Sequence, residues 1–222
     1  MPQTANAPIT ISAFSWAPEF ARGNVRDLPV RWMLEEIGRD YEVELLDAKT
    51  PRGPEYVGWH PFDQVPAYRD DEVEIFEAAA ILLHLAEKSG QFLPVDAAGR
   101  AKAISWLFAA VNAVEPPLRN VTTFPLFYSD SDWAAPASEA LAPFAEKRLT
   151  RVADALGANQ WIAEEFSIAD IMLTFILRTI GGKLIEAFPA LVAYVERGKA
   201  RPAYQRALAG QLADFADENA PA

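Results

Sequence analysis

At 222 residues the chain suits one large domain or two small ones, and it can bury ~70% of the surface its unfolded form exposes. A net charge of −11 supplies no basic stripe for nucleic acid and no attraction to an anionic membrane surface. With no cysteine, disulfides, thiolate metal sites and cysteine nucleophiles are excluded. The first ten residues hold neither a positive charge nor a long apolar run, so they do not read as a secretion signal. No apolar stretch reaches the ~20 residues of a membrane helix, and a cytoplasmic protein is the default.

Residues 1–8 read as a flexible leader. Ile9 to Phe14 is short, β-branched and bounded by loop signals, which predicts a strand. A long loop from Ser15 to Arg26 follows. Leu28 to Ile37 is helical and stops at Gly38. Pro29 lacks the N–H that a helix interior donates, so it belongs in the first turn, and Asp27 is the expected N-cap. Tyr41 to Leu46 alternates with period two, as a strand does. Thr50 to Pro61 carries three prolines and two glycines and reads as broken chain. Val65 to Phe76 reads as a hairpin with Asp70 and Asp71 at its turn, and Glu77 to Lys88 as a strong helix ended by Ser89 and Gly90. The order βαβ, loop, ββα implies a small mixed sheet with helices packed on it, over residues 9–92.

Residues 93–98, with Pro94 and Asp96, read as a linker. From Gly99 onward only helical periodicity is present, at about 100–128, 138–156, 168–180 and 188–198, with a shorter helix after Pro202. An all-helical domain over 99–213 and a flexible tail over 214–222 follow from this. Glu115-Pro116-Pro117 should kink or break the first of these helices. Ser167 and Asp170 stand at N-cap and N3 of a capping box, with Phe166 and Ile171 at the staple positions. His60 and His84 do not share a metal-ligand spacing and read as structural, so no metal is expected.

Three segments carry a resemblance. His60-Pro-Phe-Asp-Gln-Val-Pro-Ala-Tyr68 is similar to the glutathione transferase pattern Asn-Pro-x-Gly-x-Val-Pro-x-Leu. Ile75-Phe-Glu-Ala-Ala-Ala-Ile81 resembles the pattern Leu-x-Glu-Ser-x-Ala-Ile of the same family, and Ser167-Ile-Ala-Asp170 resembles the start of its conserved C-terminal helix. The resemblance is continuous over about residues 9–90. It implies an α/β thioredoxin-like N-terminal domain with a mixed four-stranded sheet, followed by an all-α helical bundle, and commonly a homodimer.

Glutathione is the co-substrate that the resemblance implies. A cis Val65–Pro66 bond would let the Val65 backbone bind its cysteinyl part. Glu77 would face its ammonium, and the helix start at Ala78 would take the γ-glutamyl carboxylate, because such an end offers free N–H groups. The family serine is Ala78 here. Losing one hydrogen bond to a charged group costs roughly 1.5–3 kcal/mol. Lys49 and Arg52 lie where the family contacts the glycyl carboxylate.

The resemblance also implies a thiol activator near the end of the first strand, for which Ser15 is the first candidate and Asn24 the second, a hydroxyl or an amide that can donate to sulfur and stabilise the reactive thiolate. A small hydrophobic electrophile would sit between the domains, with Trp16, Trp106, Phe108 and Tyr128 as candidates to line its pocket. Conjugation of that electrophile is the expected reaction. A glutathione-dependent isomerase, or a non-catalytic binding or scaffold module on the same fold, are the alternatives that the sequence leaves open.

Overall fold

The computed structural model describes residues 4–48 and 50–216. The candidate Lys49 lies outside the described residues, as do 1–3 of the expected leader and 217–222 of the expected tail. The chain divides into two compact units, one made of the residues up to Gln91 together with those from Ala200 on, the other of Phe92–Lys199.

The first unit is built on a four-stranded sheet. β1 (Thr10–Phe14) pairs in parallel with β2 (Glu42–Leu46), in register Thr10↔Glu42 to Phe14↔Leu46. β1 also pairs antiparallel with β3 (Ala67–Arg69), which pairs antiparallel with β4 (Glu74–Phe76), giving the order β2-β1-β3-β4. This mixed sheet is the thioredoxin-like arrangement. Ile11, Ser12 and Ala13 are all buried, so β1 is covered on both faces. Thr4 is tied to the sheet's edge, its N–H donating to Tyr41 O at 2.8 Å.

α1 (Asp27–Ile37) starts where Pro29 requires and stops at Gly38, whose φ of 64° is the left-handed conformation that glycine adopts without a steric cost. Its N-cap, however, is Arg26, and no side chain caps it. Asp27 is instead the first helical residue. Its carboxylate is turned toward Arg31 and Gln211, accepting from Arg31 Nε at 2.6 Å and from Gln211 Nε2 at 2.7 Å.

The stretch expected to be broken contains α2 (Pro54–Trp59). Pro51 and Pro61 flank it, and Pro54 sits at its start, where a missing N–H costs nothing. The β3–β4 turn is held by Asp70, which accepts from the N–H of Glu72 at 2.9 Å and of Val73 at 3.0 Å. α3 (Ala78–Ser89) ends at Gly90 in the left-handed conformation.

In the second unit α4 (Ala97–Ala109) begins inside the expected linker, because Asp96 caps it by accepting from Gly99 N at 2.8 Å. A single π-turn over Ala110–Val114 joins it to α5 (Glu115–Phe127). The expected break therefore takes this form. Pro116 and Pro117 cannot donate to the preceding turn and their rings would strike its carbonyls, and a widened turn moves those carbonyls away.

α6 (Ala134–Leu156), α7 (Ile168–Ile176) and α8 (Pro189–Lys199) complete this unit. Every residue of α7 is buried. Its start is the expected capping box: Asp170 Oδ2 accepts from Ser167 N at 2.9 Å and Ser167 Oγ at 3.0 Å. The same carboxylate reaches further, its Oδ1 accepting from Ile162 N at 2.8 Å and Tyr194 Oη at 2.7 Å. Burial and Asp170 hold the Tyr194 hydroxyl well above the usual phenol range, so it stays a donor.

α9 (Pro202–Asp214) departs from the expected helical domain over 99–213. It belongs to the first unit, where it packs on α1. Trp32 meets Tyr204 edge-on with ring centroids 5.0 Å apart. Arg206 Nε pairs with Glu35 at 2.7 Å, and Arg201 pairs with Glu36. Asp214 is the last residue of this helix, paired with Arg31, and does not begin a loose tail.

Candidate functional site

The sheet register gathers the candidates of the first unit. Ile11 faces Tyr68, so the end of β1, where Ser15 follows Phe14, lies beside the start of β3, where Pro66 precedes Ala67. Ala67 faces Phe76, so the next residues outward, Pro66 and Glu77, stand at the same end. The Val65–Pro66 peptide is cis, and both residues are buried.

A chain of buried hydroxyls fixes this loop to the sheet. Tyr56 Oη has one proton, which it donates to Gln64 O at 2.6 Å. The 2.8 Å contact between Ser12 Oγ and Tyr56 Oη must then carry the serine proton. Ser12 Oγ in turn accepts from Ala67 N at 2.7 Å. The order Ala67 N–H to Ser12 to Tyr56 to Gln64 O brackets Val65 and Pro66 on both sides. Burial pushes the Tyr56 hydroxyl up, so it remains protonated near neutral pH.

Neither Ser12 nor Tyr56 figures among the candidates read from the sequence. The signal available there was a polar serine in the middle of a strand covered on both faces, a position that demands a partner.

Glu77 is the N-cap of α3, with φ 70° and ψ 113°. A positive φ on a residue with a Cβ costs of order 1–3 kcal/mol and persists only where its surroundings impose it. Its side chain makes no cap hydrogen bond, so the first N–H groups of α3 from Ala78 onward are not closed by it. The helix amino end is thus presented beside Pro66 with its partial positive charge.

His60 is buried, with its ring 5.1 Å from that of Phe76. Burial lowers its pKa, against the nearby charge of Glu77. It is a neutral packing residue of this loop.

Arg52 lies over the ring of Phe14 at 5.5 Å and that of Tyr56 at 5.9 Å. Its Nη1 donates to Thr50 O at 2.7 Å. Among the described residues its Nε is buried without a hydrogen-bond partner, and the Asp63 carboxylate stands 3.9 Å away. A guanidinium held over Phe14 at this end of the sheet supplies a positive charge that suits a carboxylate.

Ser15 donates its N–H to Leu46 O at 2.9 Å and its hydroxyl to the same oxygen at 3.3 Å. The second bond is long and exchangeable, so the hydroxyl can rotate toward a sulfur atom. Asn24 uses its amide within the loop, donating to Phe20 O at 2.7 Å. Trp16 is half-buried next to Ser15. In the second unit Trp106 is half-buried, while Phe108 and Tyr128 are largely exposed, Tyr128 with its ring 5.1 Å from that of Trp133.

A cavity of about 340 Å³ lies at the other end of the sheet, lined among others by Ile9, Tyr68, Asp70 and Lys88, and holds none of the candidate residues.

Residues 20–87 match the family of the glutathione S-transferase N-terminal domain. The chain is 31% identical over 202 residues to the disulfide-bond oxidoreductase YfcG of Escherichia coli strain K12, a match covering 82% of this chain and 89% of that protein. It is 27% identical over 218 residues to glutathione S-transferase 3 of Zea mays, covering 91% of this chain and 94% of the relative. A crystal structure of a glutathione transferase family member from Pseudomonas fluorescens pf-5, with two glutathione bound, matches with a TM-score of 0.81 at 28% identity, over 93% of this chain and 95% of that one. The chain belongs to the glutathione S-transferase superfamily.

Proposed function

We propose that this protein binds glutathione at the Pro66 end of the sheet and uses its thiolate to attack a small hydrophobic electrophile. The observation that carries the proposal is the register, which stands the Val65–Pro66 loop and the open amino end of α3 side by side.

In this reading the Val65 backbone pairs with the cysteinyl residue. The N–H groups at Ala78 take the γ-glutamyl carboxylate, and Glu77 faces its ammonium. Arg52 takes the glycyl carboxylate, with Lys49 beside it in sequence. Ser15 donates to sulfur and lowers the thiol pKa, and Asn24 is the second candidate for that role. The thiolate then forms a carbon–sulfur bond as the leaving group departs with its electron pair. Trp16, next to Ser15 in sequence, lines the electrophile's pocket, and the working form is a homodimer, which light scattering tests.

Isothermal titration with glutathione tests the binding step. No heat at millimolar ligand would leave a scaffold module on the same fold as the better reading. Turnover of a generic aryl halide tests the chemistry.

One second reading has a specific support, the 31% identity to YfcG, a disulfide-bond oxidoreductase. Because this chain has no cysteine, two glutathione thiols would supply both electrons. The first thiolate attacks the substrate disulfide and releases one thiol. The second resolves the mixed disulfide and releases the other thiol with glutathione disulfide. Reduction of a small disulfide with no aryl halide conjugation would favour this reading.

A further inference from the structure

The loop from Ser15 to Arg26 is gripped by α9 and the residues just after it, nearly two hundred positions away in sequence. Ala216 N donates to Ser15 O at 3.1 Å. Gln211 Nε2 donates to Val25 O at 3.2 Å and to Asp27 Oδ1 at 2.7 Å, and the Gln211 side chain is fully buried. Gly23, with φ 77°, approaches so closely that a Cβ there would stand 3.0 Å from Leu208 Cδ1.

Behind these contacts runs a buried ion chain. Arg31 Nε pairs with Asp27 at 2.6 Å, and its Nη2 pairs with Asp214 at 2.5 Å. The grip therefore touches the loop at its first residue, Ser15, and near its end, at Gly23 and Val25. It also fixes the last turn of α9 through a charge that cannot be left unpaired.

The first half of α9 meets α1 through Tyr204 on Trp32 and Arg206 on Glu35, with Arg201, just before it, on Glu36. The second half meets α1 as well, Gln211 at Asp27 and Asp214 at Arg31. What Gln211 and Ala216 add is a reach to the loop itself, at Val25 O and Ser15 O.

We infer that Gln211 and the Ala216 N–H are positioning groups for the loop that carries Ser15, so that the end of α9 sets the geometry of the thiol activator. The inference rests on the proposed function for its chemical part. A main-chain hydrogen bond to Ser15 O, with the Ser15 N–H held by Leu46 O, fixes the peptide planes on both sides of the residue. Its hydroxyl then has only its own rotation left with which to meet a sulfur atom.

Two variants test this. Gln211→Met keeps the volume and removes both donors. Ala216→Pro removes one N–H, and Phe215 at φ −84° and ψ 109° already has the extended backbone that a residue before proline prefers. Arg206→Ala, in the first half of α9, is the control.

The first readout is hydrogen exchange without glutathione. Amides of residues 15–26 should exchange about fivefold faster in both test variants, the scale of one lost hydrogen bond, and at wild-type rate in the control. The second is the pH dependence of kcat/KM with an aryl halide, where the thiol limb should move to higher pH in both test variants while KM for glutathione holds.

Unchanged loop exchange in both folded variants overturns the inference. Faster exchange with an unmoved pH limb overturns the link to Ser15. The exchange arm needs no glutathione, so it decides the grip even if the wild-type chain fails to bind the ligand, a result that would sink the proposed function instead.

Discussion

Replacing Tyr56 with phenylalanine removes one oxygen from the hydroxyl chain that holds Val65 and Pro66. The ring should stay, packed edge-on against Trp59 with centroids 5.7 Å apart, so little apolar contact is lost. Two hydrogen bonds go: the one to Gln64 O and the one from Ser12. At 0.5–1.5 kcal/mol net for each, the expected loss of stability is about 1–3 kcal/mol. Ser12→Ala also removes two bonds, and it leaves the Ala67 N–H buried without an acceptor, so its cost should reach the upper part of the same range.

The Ser12–Tyr56 bond is common to both variants. The double variant should therefore cost less than the sum, by roughly 1 kcal/mol, a coupling within the usual range for residues in contact. Urea denaturation of the wild type, both single variants and the double variant measures this. Titration with glutathione should show affinity falling about fivefold in Tyr56→Phe, because the Val65 backbone is no longer held on its N-terminal side. Additive stabilities, or an unchanged affinity in a folded Tyr56→Phe protein, would refute the directional chain.

Asp170→Ala removes an acceptor used by four donors, so the loss should exceed the ~1 kcal/mol of an ordinary cap and reach about 3 kcal/mol, read as a lowered melting temperature. Ala78→Ser restores a hydroxyl at the amino end of α3 and should raise glutathione affinity about tenfold by titration calorimetry. His60 is held neutral by burial, with its pKa below the ordinary 6.5. The unfolded chain therefore takes up the proton first, and stability is full above pH 6.5 and falls as pH drops from there toward the folded value. His60→Phe should flatten that part of the stability–pH curve in urea titrations.

What the sequence made legible was local. Ser167 and Asp170 are three residues apart, and the box they form follows from spacing and helix geometry alone. Pro29 placed the start of α1 for the same reason, because a ring with no N–H has only a few tolerated positions. The misreadings share a cause as well. Asp27 has the chemistry of an N-cap, but Gln211, 184 residues away, and Arg31 claim its carboxylate. No local rule could weigh that competition.

The three prolines around α2 were read as breakers, although two flank the helix and the third starts it. α9 carries the same helical periodicity as its predecessors, and periodicity does not say which unit a helix will pack on. Ser12 and Tyr56 are 44 residues apart and meet only through the fold. Of the candidate site, the Val-Pro and Glu-Ala segments were readable because each is contiguous. The hydroxyl chain behind them and the grip on the Ser15 loop are not contiguous.

A crystal structure of this protein soaked with glutathione tests the central claim most directly. The account predicts the cysteinyl backbone paired with Val65, the γ-glutamyl carboxylate on the N–H groups at Ala78, and the sulfur within hydrogen-bond reach of Ser15 Oγ. Glutathione bound only in the cavity beside Tyr68 and Asp70, or bound at the Pro66 end with its sulfur turned away from Ser15, would contradict it.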